Sequence, residues 1–322
     1  MSLRDTIELL ADGEFHSGEE LGEQLGVSRA AVWKQLQKLT ELGLDVHTVR
    51  GKGYRLTGGI ELLDDSKIRY SMSPMALDYL SQLELFDVIA STNDLMLERA
   101  RQGAASGAVC LAEQQTAGRG RRGRNWVSPY GRNIYLSCLW HFYQGAATLE
   151  GLSLAVGVAV ANAMKAAGVP NVKLKWPNDV LIGGAKVAGV LLEMTGDASG
   201  HCQVVVGIGV NLAMSANAAA AIDQAWTDLN SAGGHASRNQ FVALLLNELL
   251  PMLANFQQRG FEPIKAEWEA LDAYRDQPVK LTTAATVIEG IARGLDISGG
   301  LLLETNEGVK VLKGGELSLR GA

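Results

Sequence analysis

Gly118, Arg119, Gly120, Arg121, Arg122, Gly123 and Arg124 set four arginines among three glycines, in a chain whose net charge is −6. Glycines let a backbone turn tightly and present its N–H groups, while guanidinium forks match phosphate and carboxylate oxygens. Such a segment suits a concentrated negative charge, most simply a nucleotide phosphate. It contains G-x-G-x-x-G, but no helix follows. Asn125-Trp126-Val127-Ser128-Pro129-Tyr130-Gly131 is turn chemistry leading into a strand, which excludes a dinucleotide fold. No G-x-x-x-x-G-K-[ST] occurs, so the chain is not a P-loop NTPase. Glycine–arginine tracts that bind RNA run long and repeat, whereas this is one loop between strands.

Other residues with chemistry lie further along. Ser91 with Asp94 three positions later reads as a capping box, and the same helix start can hold a polar ligand head. Lys175-Trp176-Pro177-Asn178-Asp179 ends a short strand, with a lysine and an aspartate either side of a fixed turn; Asp179 also reads as a turn cap. A lone lysine on a strand is ordinarily solvated. Lys186 follows Gly183-Gly184 and heads the apolar strand Val187–Glu193, which carries Gly189, so surface and site readings both stand. Val204 to Asn211 reads as a buried strand in which Gly207 and Gly209 permit close approach of a ligand. Trp226 follows an alanine-rich stretch, Ala216–Ala221, expected to be loosely ordered.

The elements that position these residues fall into three units: 1–60, 64–271 and 272–322. In the first, charge is sorted. Residues 1–27 hold one basic and seven acidic side chains, and residues 28–60 hold six basic and two acidic. The order is helix, Ser17-capped helix, Gly26 turn, then a Ser28-capped helix from Ala30 to about Leu42. A basic hairpin follows through Arg50-Gly51-Lys52-Gly53. This predicts a winged helix-turn-helix that meets DNA through Ser28, Arg29, Ala30, Trp33, Lys34, Lys38, Arg50 and Lys52, with Gln37 beside them. A small helical module for protein contacts is the competing reading. Gly58-Gly59 predicts a flexible link. The middle unit alternates strands with helices, among them the small-residue helix Leu152–Ala167. The last unit is β-rich, with strands at Pro278–Leu281, Thr286–Ala292, Gly300–Glu304 and Val309–Val311, and turns at Gly299-Gly300 and Gly314-Gly315. A small β-barrel fits its size, and Arg320 reads as surface.

Composition narrows the class. A hydrophobic fraction of 47% and a charged fraction of 20% are ordinary for a soluble protein, and the acidic balance confines nucleic-acid contact to a local patch. Cys110, Cys138 and Cys202 are widely spaced with no C-x-x-C pair, which argues against zinc or disulfides and for a reducing cytoplasm. Cys138 in the apolar run Asn133–Trp140 reads as a buried structural thiol. There is no signal-like start and no apolar span of about 18 residues, so no membrane association is expected.

Ser91-Thr92-Asn93, Gln115 through Trp126, Lys175 through Asp179, Lys186 with Gly189, and Gly207-x-Gly209-x-Asn211 together closely resemble the bifunctional biotin protein ligases that also repress the biotin operon. The resemblance spans essentially the whole chain; lipoate ligases share the central fold but lack the arginine loop. It implies an α+β protein with a central mixed α/β domain of the biotin/lipoate ligase type and an SH3-like β-barrel tail. It implies activation of biotin by ATP with Mg²⁺ to biotinyl-5′-adenylate, then transfer to one lysine of a biotin carboxyl carrier protein. It also implies an adenylate-bound homodimer that represses at the operator of biotin genes.

By the same resemblance the catalytic group is Lys186, Arg119, Arg121 and Asp179, with Arg121 retaining the adenylate. The biotin site is Ser91, Thr92, Asn93, Gln115, Arg119, Gly120, Arg121, Trp126, Lys186, Gly189 and Gly207. ATP and adenylate fall to Arg119, Arg121, Arg122, Arg124, Lys175, Asn178, Lys186, Asn211 and Trp226, and no protein metal ligand is assigned. The loop is expected to be disordered without ligand. The tail closes over ATP or meets the carrier. Alternatives are a sensing repressor without catalysis, a ligase that no longer represses, and lipoate as substrate.

Overall fold

The computed structural model describes residues 2–197, 200–214, 216–282, 287–314 and 318–321. Side-chain caps set three N-terminal helices. Ser2 with Asp5 boxes α1 (Leu3–Leu9), Ser17 with Glu20 boxes α2 (Gly18–Leu25), and Ser28 caps α3 (Arg29–Glu41). Each cap satisfies N–H groups that a first helical turn leaves without partners. Gly26 ends α2 at φ 66°, a left-handed conformation that favours glycine, and the chain enters α3 almost at once. The hairpin β1 (Val46–Val49) and β2 (Gly53–Leu56) follows, with His16 pairing to Tyr54 at its edge. Ile7, Leu10, Leu21, Val32, Leu36 and Leu39 form the core beneath. The winged helix-turn-helix is present.

The Gly58-Gly59 link is a fixed corner, which corrects the flexible connection expected from the sequence. Ile60 N–H donates to Ala11 O at 3.0 Å, and Arg132 donates to Gly59 O at 3.1 Å and Thr57 O at 3.2 Å. A side chain at Gly59 would strike Ala11 O, so glycine is there for close approach.

Helices α4 (Asp65–Ser71) and α5 (Pro74–Tyr79) lead into β3 (Gln82–Ile89), α6 (Thr92–Arg101) and β4 (Ala108–Gln115). Then come β5 (Ile134–Phe142), α7 (Leu152–Ala166), β6 (Val172–Lys175), β7 (Asp179–Ile182), β8 (Ala185–Gly196) and β9 (Cys202–Val210). One turn of helix, α8 (Ala216–Ala219), occupies part of the alanine-rich stretch, and α9 (Arg238–Arg259) and α10 (Glu262–Leu271) close the unit. The sheet order is β3-β4-β5-β9-β8-β7-β6. Among the described strands of this sheet, β3 and β4 are the pair that runs parallel, with α6 as their crossover.

Residue alternation gives the two faces different jobs. Val109, Leu111, Leu136, Cys138, Val204, Val206 and Ile208 pack in the large core with α7 and α9. Cys110, Leu139 and Val205 turn the other way, onto α6. Further along that second face lie Ser137, Gly189, Gly207 and Gly209. Apolar side chains build one face, and absent side chains leave room on the other.

The C-terminal strands β10 (Pro278–Thr282), β11 (Val287–Leu295), β12 (Leu301–Thr305), β13 (Gly308–Leu312) and β14 (Ser318–Gly321) form an antiparallel sheet ordered β13-β12-β11-β10-β14. A bulge between Ala292 and Leu295 bends β11. Thr286 of the expected second strand and Gly315 of the expected turn lie outside the described residues. Val279, Leu281, Ala292, Leu303 and Leu319 share the large core of the middle unit, and Trp176 Nε1 donates to Gly299 O at 3.1 Å. The tail is thus packed into the body of the protein. Among the described residues no helix is long and apolar enough to cross a membrane.

Candidate functional site

Strand ends, one helix start and the arginine loop enclose a cavity of about 320 Å³, within the usual size for a small-molecule site. Every non-DNA site residue expected from the sequence lines it. The polar end comes from the β3–α6 and β4 termini. Ser91 caps α6 by accepting from Asp94 N–H, and both N–H and Oγ1 of Thr92 donate to Gln115 Oε1, at 2.9 and 3.0 Å. Beneath them Ser137 Oγ reaches Thr92 Oγ1 at 2.7 Å and Asn93 Oδ1 at 2.5 Å. Ser137 escaped the sequence reading because it sits inside an apolar strand. Its period-two phase, opposite to Leu136 and Cys138, is the signal that marks it.

The expected capping box is only half made. Asp94 gives its N–H to Ser91, but its carboxylate turns to Arg119 instead of back to the helix start.

The floor is strand backbone. A Cβ at Gly209 would lie 2.4 Å from the Trp126 ring, one at Gly189 3.3 Å from it, and one at Gly207 2.3 Å from Asn93 Oδ1. The glycines therefore admit protein side chains, Trp126 and Asn93, where the sequence suggested close approach of a ligand. The Trp126 indole N–H is buried without a partner, and the Lys186 ammonium lies 5.4 Å from the ring centroid.

At the other end three charges meet. Lys186 Nζ is 2.6 Å from Asp179 Oδ1, and Lys175 Nζ is 3.5 Å from Asp179 Oδ2. Burial holds the Lys175 ammonium below the usual lysine range; Asp179 opposes that, and Lys186 and Arg320 reinforce it. Lys186 is no surface lysine: its side chain is 17% exposed. Asn178 fixes the turn by donating to Val190 O at 2.9 Å and accepting from Arg121 at 2.8 Å. Asn211 is buried and donates to Thr227 O at 3.1 Å, while Ala225 and Thr227 pair with the backbone of Lys186. That segment brings Trp226 to the wall. Leu319 of β14 also lines the cavity, so the tail contributes to it, while Arg320 next in sequence is exposed, as its surface reading expects.

The arginine loop is folded back across the opening. Trp126 N–H donates to Gly118 O at 2.9 Å and Gly120 N–H to Arg124 O at 2.8 Å, closing its neck. Gly120 is extended; the left-handed residues are Arg122 (φ 61°) and Gly123 (φ 68°). Arg119 points at Asp94 and Glu193, and hydrogen bonds to Asp94 hold its guanidinium still more firmly charged. Arg122 and Arg124 stand exposed at the rim. Among the described residues no group of three or more His, Cys, Asp or Glu side chains could cage a metal ion. Burial pushes the Cys110 and Cys138 thiols up to about 12, which favours their protonated form, and raises Cys202 as well.

A second face lies on the winged unit. Arg29, Ala30, Trp33, Lys34 and Lys38 are exposed along α3, with Arg50 and Lys52 exposed on the hairpin. Ser28 is spent on its cap. A helix of this kind, with a basic hairpin beside it, fits a DNA groove and the flanking backbone.

Comparison with known proteins covers all three units. Residues 3–55 match the HTH domain model, residues 85–211 the Biotin/lipoate A/B protein ligase family, and residues 276–320 the Biotin protein ligase C terminal domain. The chain is 45% identical to the bifunctional ligase/repressor BirA of Salmonella typhimurium over 98% of this chain and 97% of that one. It is 44% identical to BirA of Escherichia coli over 98% of this chain and 96% of the other. The solved structure of the biotin protein ligase from Aquifex aeolicus in complex with biotin and ATP superposes with a TM-score of 0.63 at 30% identity, covering 76% of this chain and 100% of that one.

Proposed function

We propose that this chain, which belongs to the family of bifunctional biotin ligase/repressors, activates biotin with ATP in the cavity, passes it to a carrier lysine, and represses through its winged face. Biotin is an apolar bicycle with a ureido head and a carboxylate tail. Ser91, Thr92, Asn93 and Gln115 receive the head, with the loop backbone at Arg119 and Gly120. Trp126 and the glycine-floored strands at Gly189 and Gly207 flank the hydrocarbon. The carboxylate then lies at the cationic end beside Lys186.

There a carboxylate oxygen attacks the α-phosphorus of ATP. The new O–P bond forms as the bond to pyrophosphate breaks, giving biotinyl-5′-adenylate. Two anions meet in that step, and Lys186 neutralises both as Asp179 releases it. Lys175, Arg121, Arg122, Arg124 and Asn178 steady the phosphates, and Asn211 with Trp226 shapes the nucleotide wall. Mg²⁺ would arrive with the phosphates of ATP, without a caging set of protein ligands among the described residues, and would supply charge neutralisation to the departing pyrophosphate.

In the second step the carrier lysine must arrive as a neutral amine. Asp179 orients it and accepts its proton; the amine nitrogen bonds the acyl carbon and AMP leaves. The adenylate-bound chain pairs with a second copy, and two recognition helices then meet an operator with two half-sites. The working units are residues 1–60, 64–271 and 272–322, and the setting is the cytoplasm, where carrier protein and DNA are both present.

The observation that carries this reading is that one cavity combines a hydrogen-bonding end, a glycine floor, and an end where Lys186, Lys175 and Asp179 meet. Biotin-dependent exchange of pyrophosphate into ATP tests it. Lys186→Ala is expected to lower that exchange by about 10²–10³-fold, and wild-type protein that exchanges nothing would sink the reading.

A further inference from the structure

Two carboxylates from different elements converge on the first arginine of the loop. Asp94, in the opening turn of α6, takes Arg119 as a fork: Nη1 donates to Oδ2 at 2.8 Å and Nη2 to Oδ1 at 2.6 Å. Glu193 on β8 accepts from the same Nη2 at 3.3 Å. Its Oε2 also accepts from Asn93 Nδ2 at 2.7 Å, and Asn93 Oδ1 accepts from Ser137 beneath the cavity. The loop is thereby tied, through one hydrogen-bonded chain, to the cavity floor.

We propose that Asp94, assisted by Glu193, is a positioning residue that holds Arg119 and so keeps the arginine loop closed over the cavity, slowing the escape of the acyl-adenylate. The nature of that ligand rests on the biotin-ligase reading; the closure of the loop does not. Exposed ion pairs contribute little to global stability, and the side chains of Asp94 and Arg119 are 46% and 39% exposed. A loop needs far less. Its open and closed forms differ in few contacts, so a bidentate charge-assisted fork shifts the balance between them directly. The carboxylate must be charged, because the fork from the helix start to the loop neck is a charge-assisted pair. Helix capping does not account for it, since the cap uses the Asp94 N–H, which any residue there retains.

The test uses the full chain with Asp94→Asn and Asp94→Glu. In the empty protein, trypsin nicking between Arg119 and Arg124 is expected to quicken about fivefold in Asp94→Asn, with global Tm unchanged. Asp94→Glu, which keeps the charge, should restore much of the protection. Chase experiments on preformed biotinyl-adenylate should show release faster by a similar factor in Asp94→Asn, with the rate of adenylate formation at saturating biotin and ATP unchanged. The proposal fails if Asp94→Asn nicks and releases like wild type, or if Asp94→Glu behaves like Asp94→Asn. Should wild type form no adenylate, the ligase reading falls, and nicking still decides whether the latch exists.

Discussion

Trp126 lies against strand backbone that only glycine can supply. The ring would overlap any side chain at Gly209, where an added Cβ comes within 2.4 Å of it, and flexible atoms are not available to give way. Moving the ring also moves the cation beside it, since Lys186 sits over the same indole. Gly209→Ala is therefore expected to weaken biotin binding at least about fivefold, as overpacking of a rigid contact commonly costs 1–3 kcal/mol. Calorimetric titration with biotin alone would measure this. Affinity within twofold of wild type would mean that the Trp126 position does not matter to the site. Gly157 on α7 is the contrast: its nearest neighbour would be an ordinary 3.5 Å away, so alanine there should be tolerated.

At the scale of elements, α3 presents its basic face without help from the rest of the fold. Lys34 is solvent-exposed on the helix, while Val32, Leu36 and Leu39 hold the opposite side in the core. Lys34→Ala should weaken operator binding and flatten its dependence on log salt by about one unit, as expected for loss of one phosphate contact. Equal slopes in gel shifts over a salt series would remove Lys34 from the DNA face. The junction of α10 with β10 carries a different liability. Burial pushes the Asp272 carboxyl up to about 6 from its ordinary 3.8, against the pull of the Tyr274 N–H on Oδ1. Its Oδ2 is buried without a partner. The folded chain therefore holds this proton more tightly than the unfolded one, and stability falls as pH rises from about 4 to about 6. Asp272→Asn should raise Tm by about 2–4 °C at pH 7 and leave it unchanged at pH 4. Thermal melts at the two pH values check the sign.

At the scale of the whole molecule, a buried ion pair inside the middle unit is also reached from the winged unit. Arg238 at the start of α9 meets Glu113 of β4; both are nearly inaccessible. Glu113 Oε1 accepts from Leu63 N–H at 2.6 Å, and Arg4 of α1 lies 3.7 Å away. Arg238 also donates to Asn133 O and to Glu61 O, and Tyr130, on the segment leaving the arginine loop, packs into the winged core. Removing one partner strands a buried charge. Arg238→Met should cost about 3–5 kcal/mol, while Arg238→Met with Glu113→Leu should recover part of it. Urea unfolding of the three variants measures both values, and a double variant no better than the single one would show that the loss is packing, not charge.

Local structure and the chemistry within reach could be read from the residues alone. Ser17, Gly26 and Ser28 mark helix ends through backbone hydrogen bonds that need no distant partner, so the winged unit was legible from them. The arginine loop, Lys175 through Asp179, and the alternating glycines of β9 named the cavity's walls, because residue type and period survive any packing. Which of these groups touch was set by the packing of the folded chain. Asp94 read as a helix cap and became the partner of Arg119, 25 positions away in sequence. Ser137 was hidden in an apolar run, and Gly58-Gly59 looked slack until Ala11 and Arg132 gripped it. Glu113 carried no pattern at all. Such contacts depend on how the units pack together, and local propensity holds no record of that packing.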